Sequence, residues 1–222
     1  MKVAILGGTG NLGKGIALRL CQFFPITLGS RDKDKAKAIA DEYTEIAKKY
    51  YPEIQKIEGM ANKDAVLNAD IVTLAVNASA LEQFIQSSIE YSWAGKVVIC
   101  PATKLVMVNK LFEYSYFAVR GKSLSAAEYV QEMLPNAKVV STLQLVPASR
   151  LADLSKELSY DVPVLGDEKA SSLAIECLSK IRGLRFLYAG PLHLSAHMEG
   201  MLSILLNIAR INRLKEPGIK VV

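Results

Sequence analysis

From its first residues the chain alternates short apolar, β-branched runs with longer stretches whose apolar positions recur at helical spacing. "KVAIL" at Lys2–Leu6 reads as a buried strand, and Asn11–Phe24 as the helix after it. "ITLGS" at Ile26–Ser30 predicts a second strand, followed by a long charged helix from about Asp32 to Tyr50. "DIVTLAV" at Asp70–Val76 and "KVVIC" at Lys96–Cys100 predict further strands, with a helix near Ala80–Tyr91 between them. A helix near Ala126–Leu134 precedes the strand "KVVST" at Lys138–Thr142. The pattern is weakest over Tyr51–Gly59, where Pro52 ends the long helix. Strands that are apolar throughout, separated by helices, imply a parallel sheet covered on both faces.

Beyond Gln144 the texture changes. Val162–Asp167, a helix near Glu168–Ile181 and Leu184–Gly190 make one further βαβ-like unit. A final helix, roughly Ser195–Arg213, carries Met198, Met201, Leu202, Leu205, Ile208, Ala209 and Asn212 at helical spacing. Its apolar face needs cover from the sheet or from a second subunit, so a homodimer is expected. The fold class expected is α/β: a Rossmann-type doubly wound, mostly parallel sheet with a small C-terminal α/β extension ending in a long helix.

Between the first strand and the first helix stands "LGGTGNLGKG", five glycines in ten residues. Gly8, Gly10 and Gly13 form G-x-G-x-x-G in the context where each has its use. The first permits a tight turn, the second a close approach to a pyrophosphate, and the third close helix–strand packing. Free N–H groups at the helix start then hold the anion, with Thr9 and Asn11 able to add side-chain hydrogen bonds. The second strand selects the nucleotide. Where an NAD-binding unit carries an acid for the ribose 2′-hydroxyl, this chain has Gly29 and Ser30, with Arg31 next and Lys35 four residues on. A hydroxyl, a guanidinium and an ammonium suit a 2′-phosphate, so NADP is expected over NAD. Ser30 as a helix cap, with Asp32 and Asp34 in the first turn, is a second reading compatible with the first. "AVNASA" at Ala75–Ala80 offers small residues beside a nicotinamide ribose, and Asn77 could hydrogen-bond it; a plain turn accounts for the same residues.

Composition adds limits. Of 222 residues 50% are hydrophobic and 22% charged, and the net charge of +5 fits anionic small molecules as readily as nucleic acid. The basic "RINRLK" lacks the aromatic interleaving of a nucleic-acid platform, so no nucleic-acid partner is expected. Cys21, Cys100 and Cys177 are odd in number and far apart, which points to buried thiols in a reducing, cytoplasmic setting. No apolar stretch approaches a membrane span or a signal peptide. His193 and His197 lie four apart, but no third ligand accompanies them, so no metal is expected. No G-x-S-x-G, Cys/His pair or carboxylate cluster stands out. Hydride transfer between flat rings asks for stacking and exclusion of water more than for an acid or base, and no catalytic side chain is assigned.

The sequence resembles the NADPH-dependent reductases of the 5-deazaflavin coenzyme F-420. The likeness runs through "LGGTGNLGKGIALRL", "GSRDKDKA", "SAAE" at Ser125–Glu128, "VPAS" at Val146–Ser149, "DVPVLGD" at Asp161–Asp167, "AGPL" at Ala189–Leu192, "LNIARIN" at Leu206–Asn212 and the closing "GIKVV". It implies an oxidoreductase passing hydride directly between NADP(H) and coenzyme F-420. Gly8, Thr9, Gly10, Asn11, Leu12, Gly13, Ser30, Arg31, Lys35, Val76, Asn77, Ala78 and Ala148 would bind NADP, and Gln144, Val146 and Pro147 would face the deazaflavin. Residues 1–144 would form the NADP-binding domain, and 145–222 a small domain packed on it and closing the substrate cleft. Lys104, Arg120, Lys122 and Arg150 are candidates for the anionic tail. Gln144 stands where family members usually carry a histidine, and Asn77-Ala78 where they often carry proline and an aromatic. These departures keep two alternatives open: an NADPH-dependent reductase of a flavin or another acceptor, and a non-catalytic NADPH-sensing module.

Overall fold

In the computed structural model, which describes residues 1–222, the run Val3–Leu6 forms β1, every residue of it buried. Asn11–Leu20 (α1), Ile26–Ser30 (β2) and Lys33–Lys48 (α2) follow, then Ile57–Ala61 (β3), Asn62–Leu67 (α3), Ile71–Leu74 (β4), Ala78–Ser88 (α4) and Val97–Cys100 (β5). Two hairpins come next, Leu105–Val108 (β6) with Leu111–Tyr114 (β7), and Phe117–Val119 (β8) with Lys122–Leu124 (β9). Ala126–Met133 (α5), Lys138–Ser141 (β10), Ala148–Ala152 (α6), Tyr160–Gly166 (β11), Glu168–Leu178 (α7), Leu184–Gly190 (β12) and Ser195–Ile211 (α8) complete the chain.

Eight strands form one sheet in the order β12-β11-β10-β5-β4-β1-β2-β3. Neighbours run parallel throughout except β10 and β11. The Rossmann-type, mostly parallel sheet expected from the apolar runs is therefore present, and β11–α7–β12 is the further βαβ unit. It joins the same sheet through the one antiparallel pair. Strand order reverses between β1 and β4, so a crevice opens outside their carboxyl ends. Cores on the two faces of the sheet bury Ile5, Ile16 and Leu18 on one side and Leu6, Leu74 and Ile85 on the other.

The weakly patterned stretch contains β3. Gly59 lies at its middle because α2 crosses too closely for a side chain: a Cβ there would stand 2.2 Å from the carbonyl carbon of Ala36. The two hairpins turn on residue pairs in the left-handed region, Asn109-Lys110 and Arg120-Gly121. α1 and the segment after β10 are tied together by Arg19. Its buried guanidinium donates to the carbonyls of Leu151 (2.8 Å), Asp153 (2.8 Å) and Lys156 (3.1 Å).

α8 is fastened by polar groups. The fully buried carboxylate of Glu199 accepts from the N–H groups of Ala126 (3.0 Å) and Ala127 (3.3 Å) at the start of α5, and from the Tyr114 hydroxyl (3.2 Å). Ser195 and Ser125 share a hydroxyl hydrogen bond of 2.7 Å, and the Asn207 carboxamide both donates to and accepts from the backbone of Phe112 in β7. Burial pushes the Glu199 carboxyl up to about 7, against the pull of its three donors. Below pH 4.5 this group is protonated in folded and unfolded chains alike. As pH rises towards about 7 only the unfolded chain releases the proton, so stability falls across that window. Thermal melts from pH 4.5 to about 8 should show Tm declining in this range, and Glu199→Gln should flatten the decline; an unaltered slope in the variant would show that Glu199 does not hold its proton.

Candidate functional site: a dinucleotide cleft

The turn between β1 and α1 is built by backbone that comes too close for side chains. Gly7 has φ +76°, and a Cβ on it would lie 2.8 Å from the Ala75 carbonyl oxygen at the end of β4. The left-handed turn thus falls on Gly7, not on Gly8 as the three-glycine motif suggests. Gly8 and Gly13 pack on one another, a Cβ at Gly13 standing 2.5 Å from the Gly8 Cα, while the buried Tyr43 hydroxyl donates to the Gly8 carbonyl at 2.9 Å. Gly10 differs from both. A Cβ added there meets nothing within 4 Å, and as the cap residue before α1 Gly10 offers no side-chain cap bond. The first N–H groups of α1 therefore open onto free space at the positive end of the helix, a geometry that receives a pyrophosphate.

Beside this turn lies a cleft of about 440 Å³, lined by Gly7, Thr9, Ser30, Arg31, Lys35 and Val76, with Asn62 from α3 and Phe84 from α4 among its other walls. Thr9, Arg31 and Lys35 are exposed. Capping of α2 falls to Asp32, whose carboxylate accepts from the N–H groups of Asp34 and Lys35 at 3.0 Å. Ser30 is not the cap: its hydroxyl accepts from the Asp32 N–H at 3.1 Å and stands at the rim of the cleft. No carboxylate lines this cleft, and two cations do. Such a lining suits a phosphate on a ribose and would repel nothing about it.

The other expected residues sit around the crevice in different ways. Asn77 precedes α4 as its cap without a side-chain cap bond, and Ala78 begins the helix. Asn11 is exposed at the start of α1 and Leu12 half-buried. After β10 the backbone turns at Leu143, buried and at φ +74°, a conformation that costs about 1–2 kcal/mol for a side-chain-bearing residue. That turn aims Gln144 inward, where its amide donates to the Cys100 carbonyl (3.0 Å) and the Ser141 hydroxyl (2.8 Å), leaving Oε1 buried without a partner. Val146 is buried in the core, whereas Pro147 and Ala148 at the start of α6 are half-exposed. Of the candidate tail cations, Arg120 and Lys122 pair with Glu132 and Arg150 with Glu216, while Lys104 lies over the Phe117 ring. His193 and His197 are exposed, and no group of three metal-ligating side chains exists. The three thiols are free and buried, with burial pushing Cys21 up to about 11 and Cys177 to about 12. No helix is long and apolar enough to cross a membrane.

Sequence reading missed Gly7, Tyr43 and Asn62 at this site. Gly7 has a signal, the doubled glycine; the other two come from α2 and α3 and reach the turn only through the fold.

Strand order, glycine turn and cation-lined cleft together define a Rossmann-type dinucleotide-binding protein. A family model described as NADP oxidoreductase, coenzyme F-420-dependent, matches residues 2–104. The F-420-dependent NADP reductase of Methanocaldococcus jannaschii is 34% identical over 223 residues, spanning 100% of this chain and 98% of its own length. That of Methanothermobacter marburgensis is 32% identical over 228 residues, with the same coverage of 100% and 98%. The chain belongs to the coenzyme F-420-dependent NADP oxidoreductase family. Among solved structures, a candidate F-420-dependent NADP-reductase from Arthrobacter sp. FB24 superposes with a TM-score of 0.76 at 24% identity, over 100% of this chain and 99% of that one. An imine reductase of Streptomyces aurantiacus shares the fold at a TM-score of 0.61 and 18% identity, over 96% of this chain and 64% of its own.

Gly10→Val should abolish binding of NADPH and NADH alike, since its side chain enters the space before α1, yet leave the melting temperature nearly unchanged. Titration calorimetry alongside thermal melts checks both halves; retained affinity would make the loop a corner only.

Proposed function

We propose that this chain transfers hydride between NADP(H) and coenzyme F-420. The full-length relationship to F-420-dependent NADP reductases carries this reading, and the cation-lined cleft beside the glycine turn supports its NADP half. When both substrates are bound, hydride passes directly between the nicotinamide and deazaflavin rings. The chain's own part is to bind, orient and dry them. The free N–H groups of α1 and the space at Gly10 receive the pyrophosphate. Ser30, Arg31 and Lys35 take the ribose 2′-phosphate, and Val76, Asn77 and Ala78 border the nicotinamide. Gln144, Val146 and Pro147 shape the deazaflavin side, with Ala148 on the NADP side, and residues 145–222 close the cleft. Gln144 does so with a hydrogen-bond acceptor, Oε1, that the protein leaves unpaired.

The chain works as a homodimer in this reading. Ile204, Ile208 and Ile211 of α8 are 60%, 43% and 67% exposed, and Met107 and Leu111 of the adjoining β6–β7 hairpin are 57% and 40% exposed. An apolar surface of this kind, continuous across two packed elements, fits a second copy of the chain. Three reduced thiols and the absence of a spanning helix fit a cytoplasmic enzyme.

The decisive assay is anaerobic bleaching of oxidised F-420 by NADPH, with NADH and FMN as parallels. NADPH-specific bleaching is expected. Reduction of FMN instead would mean a pocket rebuilt for a flavin, and tight NADPH binding with no acceptor turned over would mean a sensor. In the same assay Arg31→Ala should raise the NADPH dissociation constant at least about tenfold, the loss of one charge-assisted contact, and leave NADH nearly unaffected. Equal loss for both would displace the 2′-phosphate from this cleft.

A further inference from the structure

One residue lining the cleft has a side-chain atom that the fold leaves unpaired. Asn62, 6% exposed, is the first residue of α3, and its Oδ1 accepts no hydrogen bond. It does not cap its helix: Ala61 occupies the cap position, and no side-chain cap bond forms. The oxygen is turned against Gly29. A Cβ at that glycine would lie 2.8 Å from Oδ1 and 2.2 Å from Leu6 Cδ2, so the missing side chain of residue 29 is what makes room for the carboxamide. Residue 30 is the serine at the cleft rim, and Arg31 and Lys35 line the same space.

A carboxamide carries an acceptor and a two-proton donor that point apart. With Oδ1 facing Gly29, the NH2 end is directed to the cleft, among a hydroxyl, a guanidinium and an ammonium. An uncharged donor held at the floor of a cation-lined cleft strengthens its hold on an anion, whereas an aspartate of nearly the same shape would oppose it. The donor end, too, finds no partner within the protein, so its two protons are available to a ligand in the cleft.

We propose that Asn62 is a further nucleotide-recognition residue, its NH2 group donating to the ribose 2′-phosphate of NADP beside Ser30 and Arg31. The inference rests on the placement of that phosphate against Ser30, Arg31 and Lys35 given above. Gly29 and Asn62 then act as a pair, the glycine giving the carboxamide its seat and the carboxamide adding a donor from the strand's far side.

Dissociation constants for NADPH and NADH, measured on the full chain by fluorescence titration, test it in Asn62→Ala and Asn62→Asp with Arg31→Ala in parallel. Asn62→Ala should weaken NADPH about tenfold and NADH less than about twofold, the scale of one hydrogen bond to a charged group. Asn62→Asp should weaken NADPH roughly a hundredfold, with NADH again little changed, because it replaces a donor by a charge of the wrong sign. If the aspartate variant fails to fold, as circular dichroism would show, the alanine variant decides. Equal weakening of both nucleotides, or none, while Arg31→Ala remains selective for NADPH would reduce Asn62 to a packing residue. Loss of selectivity effects in all three variants would remove the phosphate from this cleft, and the inference with it.

Discussion

The approach on which the rest is arranged is between backbone and backbone at the glycine turn. Gly7 passes so near Ala75 that only hydrogen fits between them, and Gly13 sits on Gly8 with the same intimacy. Those two contacts fix where α1 starts and along which line it runs. Its open N-terminus is thereby held at the reversal point of the sheet, next to the ends of β1 and β4. Tyr43, reaching over from α2, braces the turn from the outside. Further along α1, Gly15 continues the pattern. A Cβ there would be 2.6 Å from the Leu151 carbonyl carbon, so α6 is laid directly on the helix backbone. One helix therefore takes its position from the sheet at its first turn and imposes it on the later segment at its middle.

Most of this architecture was legible in the sequence, because long apolar strands and periodic helices record their burial in every residue. Ile26–Ser30 and Leu184–Gly190 fall where the pattern puts them, and α1 starts at Asn11 as expected but ends at Leu20, short of the expected Phe24. What escaped was set by relations between distant residues. β3 is an edge strand with only Ile57 buried and a glycine whose purpose is visible only once α2 lies on it. The β6–β7 hairpin turns on Asn109-Lys110, where the expected glycine is missing and a lysine takes the left-handed conformation. The reversal between β10 and β11 leaves no local mark at all. At the cleft, Ser30, Arg31 and Lys35 could be read from a missing acid and present bases. Asn62 and Glu199 could not, since each has meaning only through a partner far off in the chain.

The C-terminal helix is attached by directional polar bonds as well as by apolar packing, with Met198, Leu202 and Leu205 against Leu145 and Leu165. Glu199, Ser195 and Asn207 hold α8 through directional bonds to α5 and β7. Geometry of this kind fixes the helix's rotation, and with it which residues look outward. Ile204, Ile208 and Ile211 are among the residues that look outward.

Arg19 has a consequence for descent as well as for folding. Its cation is buried at one end of α1 and satisfied by carbonyls of a segment more than a hundred residues later. A nucleotide-binding half cut away from the later segment would leave this guanidinium to water and bare the face of α1 on which α6 is laid. Recombination that swaps one tail for another must preserve the path of 151–156 or lose the arginine.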